Sequence, residues 1–131
     1  MAGFRFSDRE KSILASFDNL SMLIDSNSNL LSSRDCFYDL ATTIVSFFDS
    51  EERYMISNGF EFSDEHIREH EKVRKLLLKI IRDIDKGICQ EAIKEIYNLK
   101  TILLRHFTRE DKRLSDFQIE RSRKISESIP K

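Results

Sequence analysis

Residues 63–86 read SDEHIREHEKVRKLLLKIIRDIDK, and this stretch decides the fold. Apolar residues recur in it every three or four positions, at Val73, Leu77, Ile80, Ile81 and Ile84. That spacing places side chains on one face of an α-helix. Acidic residues follow Ser63 and a Lys-Gly pair closes the stretch, which are the usual signals for the start and the end of a helix. The sequence therefore predicts an amphipathic helix over about residues 63–86.

The rest of the chain carries three more segments of the same kind. Apolar lines bounded by capping and stop signals predict helices over about residues 7–26, 32–58 and 89–114, and a polar helical tail over 115–131. Four amphipathic helices joined by short connections pack as antiparallel neighbours. We therefore predict one domain over residues 1–131, an all-α, up-down-up-down antiparallel four-helix bundle with a short N-terminal arm and a C-terminal helical tail.

Composition restricts the partners. The formal net charge is −1, and Lys and Arg alternate with Asp and Glu, so nothing favours binding to nucleic acid or to a membrane surface. No apolar run approaches the ~20 residues of a membrane-spanning helix, and the N-terminus lacks the plan of a signal peptide. We expect a cytoplasmic protein, and no surface in the sequence identifies a protein partner.

Polar residues interrupt the apolar faces of all four predicted helices. His66 and His70 lie one turn apart on the inner face of the third helix, and His106 continues the inner face of the fourth. Glu51 and Glu10 extend the inner faces of the second and the first helix. Buried carboxylates need a compensating partner, and a metal ion accepts neutral imidazole and ionised carboxylate together. This pattern predicts a metal site inside the bundle, although a single core histidine is more often only hydrogen-bonded.

Two carboxylates have competing interpretations. Glu10 follows Ser7 by three residues, so a capping box in an exposed first turn explains it as well as metal ligation does. Asp111 is five residues after His106, about 140° further around an ideal helix. It can reach the same site only where the helix ends or is distorted, for example by a π-bulge.

The spacing of these residues resembles that of a known family. Glu51-Glu52-Arg53-Tyr54-Met55, then Phe60, then His66-Ile-Arg-Glu-His70 resembles the E-E-x-x-M, aromatic, H-x-x-x-H signature of hemerythrins, including bacterial ones. The segment from His106 to Asp111 resembles the H-x-x-x-x-D motif of the family, and residues 6–20 resemble its opening helix. The resemblance implies a non-haem di-iron site in a four-helix bundle. One iron would take His66, His70 and His106, and Glu51 and Asp111 would bridge the two irons.

The chain departs from the family at the second iron. Two further histidines hold that iron in hemerythrins, and their positions here are Glu10 and Phe47. Glu10 could ligate a second iron together with Glu51 and Asp111. Alternatively, only the three-histidine iron binds and Phe47 fills the space beside it, or the domain is a metal-free descendant. Tyr54 and Met55 are candidates for the ligand pocket, although simple packing explains Met55 as well.

The function that the resemblance implies is binding or sensing of dioxygen, or of a related small molecule such as peroxide or nitric oxide. Because two imidazoles are replaced, we expect ordinary reversible dioxygen carriage to be impaired. An enzyme that reduces these molecules is an alternative, since the replacement should leave open coordination positions. A structural or signalling module with a decayed metal site is another. We favour the binding protein over the enzyme.

Overall fold

The computed structural model describes residues 5–25 and 30–128 of the chain. Four helices form the bundle: α1 (Asp8–Asp25), α2 (Leu30–Ser57), α3 (Ser63–Asp85) and α4 (Cys89–His106). The last of these passes through a π-helical turn, Phe107–Asp111, into α5 (Lys112–Ser128). The described residues contain no strand, so the predicted all-α four-helix bundle is confirmed.

Two glycine turns set the antiparallel order of the helices. Gly59 (φ 65°) ends α2 and Gly87 (φ 77°) ends α3, both in the left-handed conformation that favours glycine. After α2, the amide of Phe60 donates to the carbonyl of Met55 at 3.0 Å. After α3, the amide of Ile88 donates in the same way to Asp83 at 2.8 Å. These bonds satisfy the last carbonyls of each helix and reverse the chain within a few residues, so successive helices lie side by side.

The core lies along the bundle axis and receives the apolar face of every helix. The largest fully buried side chains come from all four helices and the π turn: Ile13, Phe17, Leu20, Phe37, Leu40, Ile44, Phe48, Ile80, Leu99, Leu103 and Phe107. A smaller cluster of Met55, Phe60 and Leu114 closes one end of the bundle. Burial of each large apolar side chain contributes roughly 1.5–3 kcal/mol. The three histidines lie between these two apolar clusters.

The C-terminal segment differs from the expected helix end near residue 114. The helix continues without a break to Ser128, because the sequence from 107 to 128 contains neither glycine nor proline. Leu114 is buried and Phe117 is half-buried, whereas the residues beyond them are mostly exposed. The predicted tail is therefore a helix that leaves the bundle, and residues 129–131 lie outside the described part of the chain. Within that part, no helix has both the length and the apolar character needed to cross a membrane.

Candidate metal centre

Five side chains converge at one end of the core. Glu51 comes from α2, His66 and His70 from α3, His106 from α4 and Asp111 from the π turn. One ligand atom of each lies within 4.8 Å of the others. The three imidazoles are at most 3% exposed. This buried cluster could hold a metal ion, as the inward-facing histidines predicted.

The π-helical turn is what brings Asp111 to the cluster. His106 is the last residue of α4 and Asp111 is the last residue of the turn, five positions later. The wider turn takes up one residue more than an α-helical turn, so the two side chains point to the same side. The Nε2 atom of His106 and the Oδ1 atom of Asp111 are 2.9 Å apart. The helix distortion that Asp111 needs in order to reach the cluster is therefore present.

The polar atoms of the cluster are close together yet poorly satisfied by one another. The Nε2 atom of His66 lies 3.1 Å from Oδ1 of Asp111, which is within hydrogen-bonding distance. Both oxygens of Asp111 and both ring nitrogens of His66 are nevertheless buried without a hydrogen bond. The distance suits a hydrogen bond, so it is the angle at the donor or the acceptor that is unsuitable. Such groups cost roughly 1–3 kcal/mol each when they have no partner.

Most of the distances between ligand atoms are close to the edges of an octahedron around a single ion, while that from His66 Nε2 to Glu51 Oε1 is longer, 3.4 Å. Two ligands at right angles, each about 2.1 Å from a metal, lie about 3.0 Å apart, and opposite ligands lie about 4.2 Å apart. The Nε2 atom of His70 is 3.1 Å from both Oε1 of Glu51 and Nε2 of His106. The Nε2 atom of His106 lies 4.0 Å from that same Glu51 oxygen, as opposite ligands would. The edges of a tetrahedral site would be longer, about 3.3–3.4 Å.

His70 is held in place from behind by groups that the sequence analysis did not select. Its Nδ1–H donates to Oε2 of Glu52 at 2.7 Å, which leaves the lone pair of Nε2 directed into the cluster. Arg74 donates to the same Glu52 oxygen at 2.6 Å. The ring of Phe48 stacks on the imidazole, with centroids 3.7 Å apart and planes at 6°. One available signal was that Arg74 follows His70 by one helical turn and Glu52 adjoins Glu51.

The buried charges of the cluster shift its pKa values in opposite directions. Burial raises the pKa of Glu51 to about 8. Burial lowers the pKa of His66, but Asp111 and Glu51 more than offset this and raise it to about 9. Burial, with His106 and His66 nearby, lowers the pKa of His70 to about 2, so this imidazole is neutral. Burial opposes ionisation of Asp111 too, yet His106 and His66 hold its pKa below the usual range. Without a cation, the cluster therefore retains protons on Glu51 and His66.

Glu10 lies beside the cluster but outside the group of five. It forms the predicted capping box: the amide of Ser7 donates to its Oε1 at 2.6 Å, and its own amide donates to Ser7 Oγ at 3.1 Å. The residues around it in this first turn, Asp8 and Arg9, are exposed, but Glu10 itself is only 5% exposed. Burial raises its pKa to about 7, the Ser7 amide lowers it, and the neighbouring Asp111 raises it further.

The three predicted pocket residues divide between two environments. Phe47 and Tyr54 line a solvent-open cavity of about 770 Å³, together with Glu10, Glu51 and Asp111. Phe47 is buried there, with its ring centroid 6.1 Å from that of Phe107. Met55 instead packs in the small apolar cluster at the bundle end.

Comparison of the chain with protein-family models, with curated proteins and with solved structures found no match. The chemistry of the site therefore rests on its own geometry. Three imidazoles and two carboxylates, buried and converging, form a cluster that could hold a metal ion.

Proposed function

We propose that this chain is a hemerythrin-like protein that binds iron at the five-residue cluster and, through the iron, dioxygen or a related small molecule such as peroxide or nitric oxide. The observation that carries the proposal is the convergence of five buried ligand atoms, from three imidazoles and two carboxylates, within 4.8 Å of one another. The resemblance of the motifs from Glu51 to Asp111 to the hemerythrin signature supports the same assignment.

The composition of the cluster favours iron over the commoner alternatives. Imidazole and carboxylate ligands in an octahedral arrangement with an open position are typical of non-haem iron. Structural zinc takes four tetrahedral ligands, and magnesium and calcium take oxygen ligands. Five donors leave one octahedral position open. Glu10 is not one of the five, so we propose one iron per chain at this cluster.

The residues of the chain hold the ion and control access to it. Glu51 and Asp111 would balance the charge of a divalent ion. Glu52 fixes the tautomer of His70, and the burial of all three imidazoles excludes bulk water. Iron held there would supply a Lewis acid and a one-electron redox couple. The carboxylate side of the cluster meets the cavity, which gives a small molecule a path from solvent.

Metal analysis of matched variants tests whether the cluster binds an ion. Protein purified without added metal is expected to contain about one transition-metal ion per chain, and His106→Gln is expected to lose it. Glu65→Gln is the control, because Glu65 is exposed on α3 and does not belong to the group of five. A wild-type protein without metal, or equal metal contents in wild type and His106→Gln, would refute the site.

Spectroscopy tests the ligand separately. The iron-loaded protein, reduced without oxygen, is expected to develop a new absorption band when air is admitted. A metal-loaded sample whose spectrum does not change with air, peroxide or nitric oxide would remove the ligand proposal while leaving the metal site intact.

An enzyme that reduces peroxide or nitric oxide is the second candidate. The solvent-open cavity beside Glu51 and Asp111 favours it, since a reactant needs both entry and an open coordination position. Steady-state consumption of either molecule should then exceed that of an equal concentration of free iron. Equal rates would eliminate this function.

A further inference from the structure

The cavity beside the cluster is far larger than a diatomic ligand requires. Its volume is about 770 Å³, whereas a water molecule takes a share of only about 30 Å³ in the liquid. Cavities of roughly 300–1,000 Å³ are the size class that holds organic ligands. It lies between the residues that precede α1, the first turn of α1, the middle of α2, the π turn and the start of α5.

One side of the cavity is apolar. Phe47 and Phe107 pack against each other along it, and Leu114 continues the same surface. All three side chains are at most 8% exposed, so packing fixes their positions and they form a rigid backing with little accessible surface of their own. The accessible apolar surface comes from Phe6 and Tyr54, which are half-buried, and from the exposed Ile119. A hydrocarbon chain or an aromatic ring would be taken out of water there.

The rim of the cavity carries positive charge without a partner. Arg5 and Arg9 both line it, and among residues 5–25 and 30–128 neither forms an ion pair. The guanidinium of Arg9 lies 5.0 Å from the ring centroid of Phe47, so the aromatic ring keeps it beside the apolar wall. The third cation of the lining, Lys112, already pairs with Asp116 at 2.9 Å. Two guanidinium groups are thus available for a carboxylate from outside.

We propose that this cavity binds a small organic anion with an apolar body, such as a medium-chain fatty acid or an aromatic carboxylate. The carboxylate would pair with Arg5 and Arg9, and the body would pack on the accessible apolar surface of Phe6, Tyr54 and Ile119. A ligand bound in this way lies next to Glu51 and Asp111, which line the same cavity. The inference goes beyond iron and dioxygen binding and requires no metal, so the two proposals can fail separately.

Isothermal titration calorimetry of the full chain with three probes tests the ligand class. Octanoate carries both features, acetate carries only the anion and octanol carries only the apolar body. Octanoate is expected to bind at least about 100-fold more tightly than acetate, since each methylene removed from water is worth a factor of about four. Octanoate is also expected to bind at least about tenfold more tightly than octanol, because a hydrogen bond to a charged group contributes at least that factor to the affinity. The metal content of every sample is measured beside the titration.

Variants of the rim and of the wall locate the site. Arg9→Gln is expected to weaken octanoate binding by about tenfold. Its control is Arg53→Gln, because Arg53 is exposed on α2 and does not line the cavity. Ser50→Glu, which places a carboxylate on the lining of the cavity, is expected to weaken octanoate binding by repulsion of its carboxylate, by about tenfold. Ser46→Glu is its control, because Ser46 is exposed one turn earlier on α2 and does not line the cavity.

Two results would overturn the proposal. The first is octanoate binding no more tightly than acetate or octanol, which would mean that the cavity does not recognise both parts of one ligand. The second is equal affinity in Arg9→Gln and Arg53→Gln, or in Ser50→Glu and Ser46→Glu, which would place the bound octanoate elsewhere. Retention of bound metal in such a sample would leave the iron proposal standing.

Discussion

Raising the pH from 7 to 9 is expected to strengthen metal binding at the cluster by about 500-fold. Glu51 and His66 must both lose a proton before they can ligate, and their pKa values are raised to about 8 and about 9. At pH 7 the competition from these protons weakens binding by a factor of about 11 for Glu51 and about 100 for His66. At pH 9 the two factors fall to about 1.1 and about 2. Affinity therefore rises with pH and levels off above pH 9.

Calorimetry with Co(II) measures this effect, because that ion stays divalent in air and takes the same ligands as ferrous iron. Titrations in two buffers of different ionisation enthalpy give the number of protons released. About two protons per ion are expected at pH 7, and about 0.6 at pH 9.

Glu10→Gln is the control for this experiment. Glu10 also titrates with a pKa of about 7 but is not one of the five donors. The variant is expected to release about two protons at pH 7, like the wild type. Proton release close to zero at pH 7, or an affinity that stays flat from pH 7 to 9, would refute the conclusion that Glu51 and His66 carry the protons.

Three variants test other parts of the structure. Glu52→Gln weakens the support of His70 and is expected to lower metal affinity by about 10- to 100-fold, with an unchanged thermal melt of the metal-free protein; unchanged affinity would deny Glu52 that role. Glu10 and Phe47 both line the cavity beside Glu51, and the double variant Glu10→His, Phe47→His is expected to raise bound iron from one to two per chain in elemental analysis. If bound iron does not increase, the alignment with hemerythrins is contradicted. Leu103→Ala empties a fully buried position and should lower the free energy of unfolding by about 2–5 kcal/mol in urea; a change below about 0.5 kcal/mol would contradict close packing there.

Periodicity was enough to predict the helices, since local spacing controls which face of each is apolar. Val73, Leu77 and Ile80 occupy the core as their spacing indicated. The helix ends at Gly59 and Gly87 could also be predicted from the sequence, because only glycine adopts their positive φ at little cost. The helical tail was predicted as well, but its unbroken connection to the fourth helix through the π turn was not, because the apolar line of that helix ends near residue 114. Lys, Glu and Arg are good helix formers on a solvated surface.

The site was predictable only where it followed the same periodicity. His66, His70 and His106 lie on inner faces and were found in that way. Asp111 was out of phase, and only the resemblance to hemerythrins gave it a role before the π turn was known. Of the two interpretations of Glu10, the capping box is confirmed; Glu10 also borders the cluster, and its ligation of a metal stays a prediction.

Glu52 and Phe48 were overlooked for another reason. Their contacts with His70 join α2 to α3, and the relative rotation of two packed helices is set by the whole core. No spacing within a single helix contains that information.

The extra residue of the π turn has an effect beyond Asp111. One additional residue rotates everything that follows by about 100° relative to α4, so the phase of all of α5 depends on it. Leu114, which seals the bundle end against Met55 and Phe60, is in that rotated part. A one-residue deletion between Phe107 and Glu110 would therefore move Asp111 out of the cluster. The same deletion would also move Leu114 out of its contacts with Met55 and Phe60. The position of Asp111 in the cluster and the packing of Leu114 at the bundle end therefore depend on the same extra residue of the π turn.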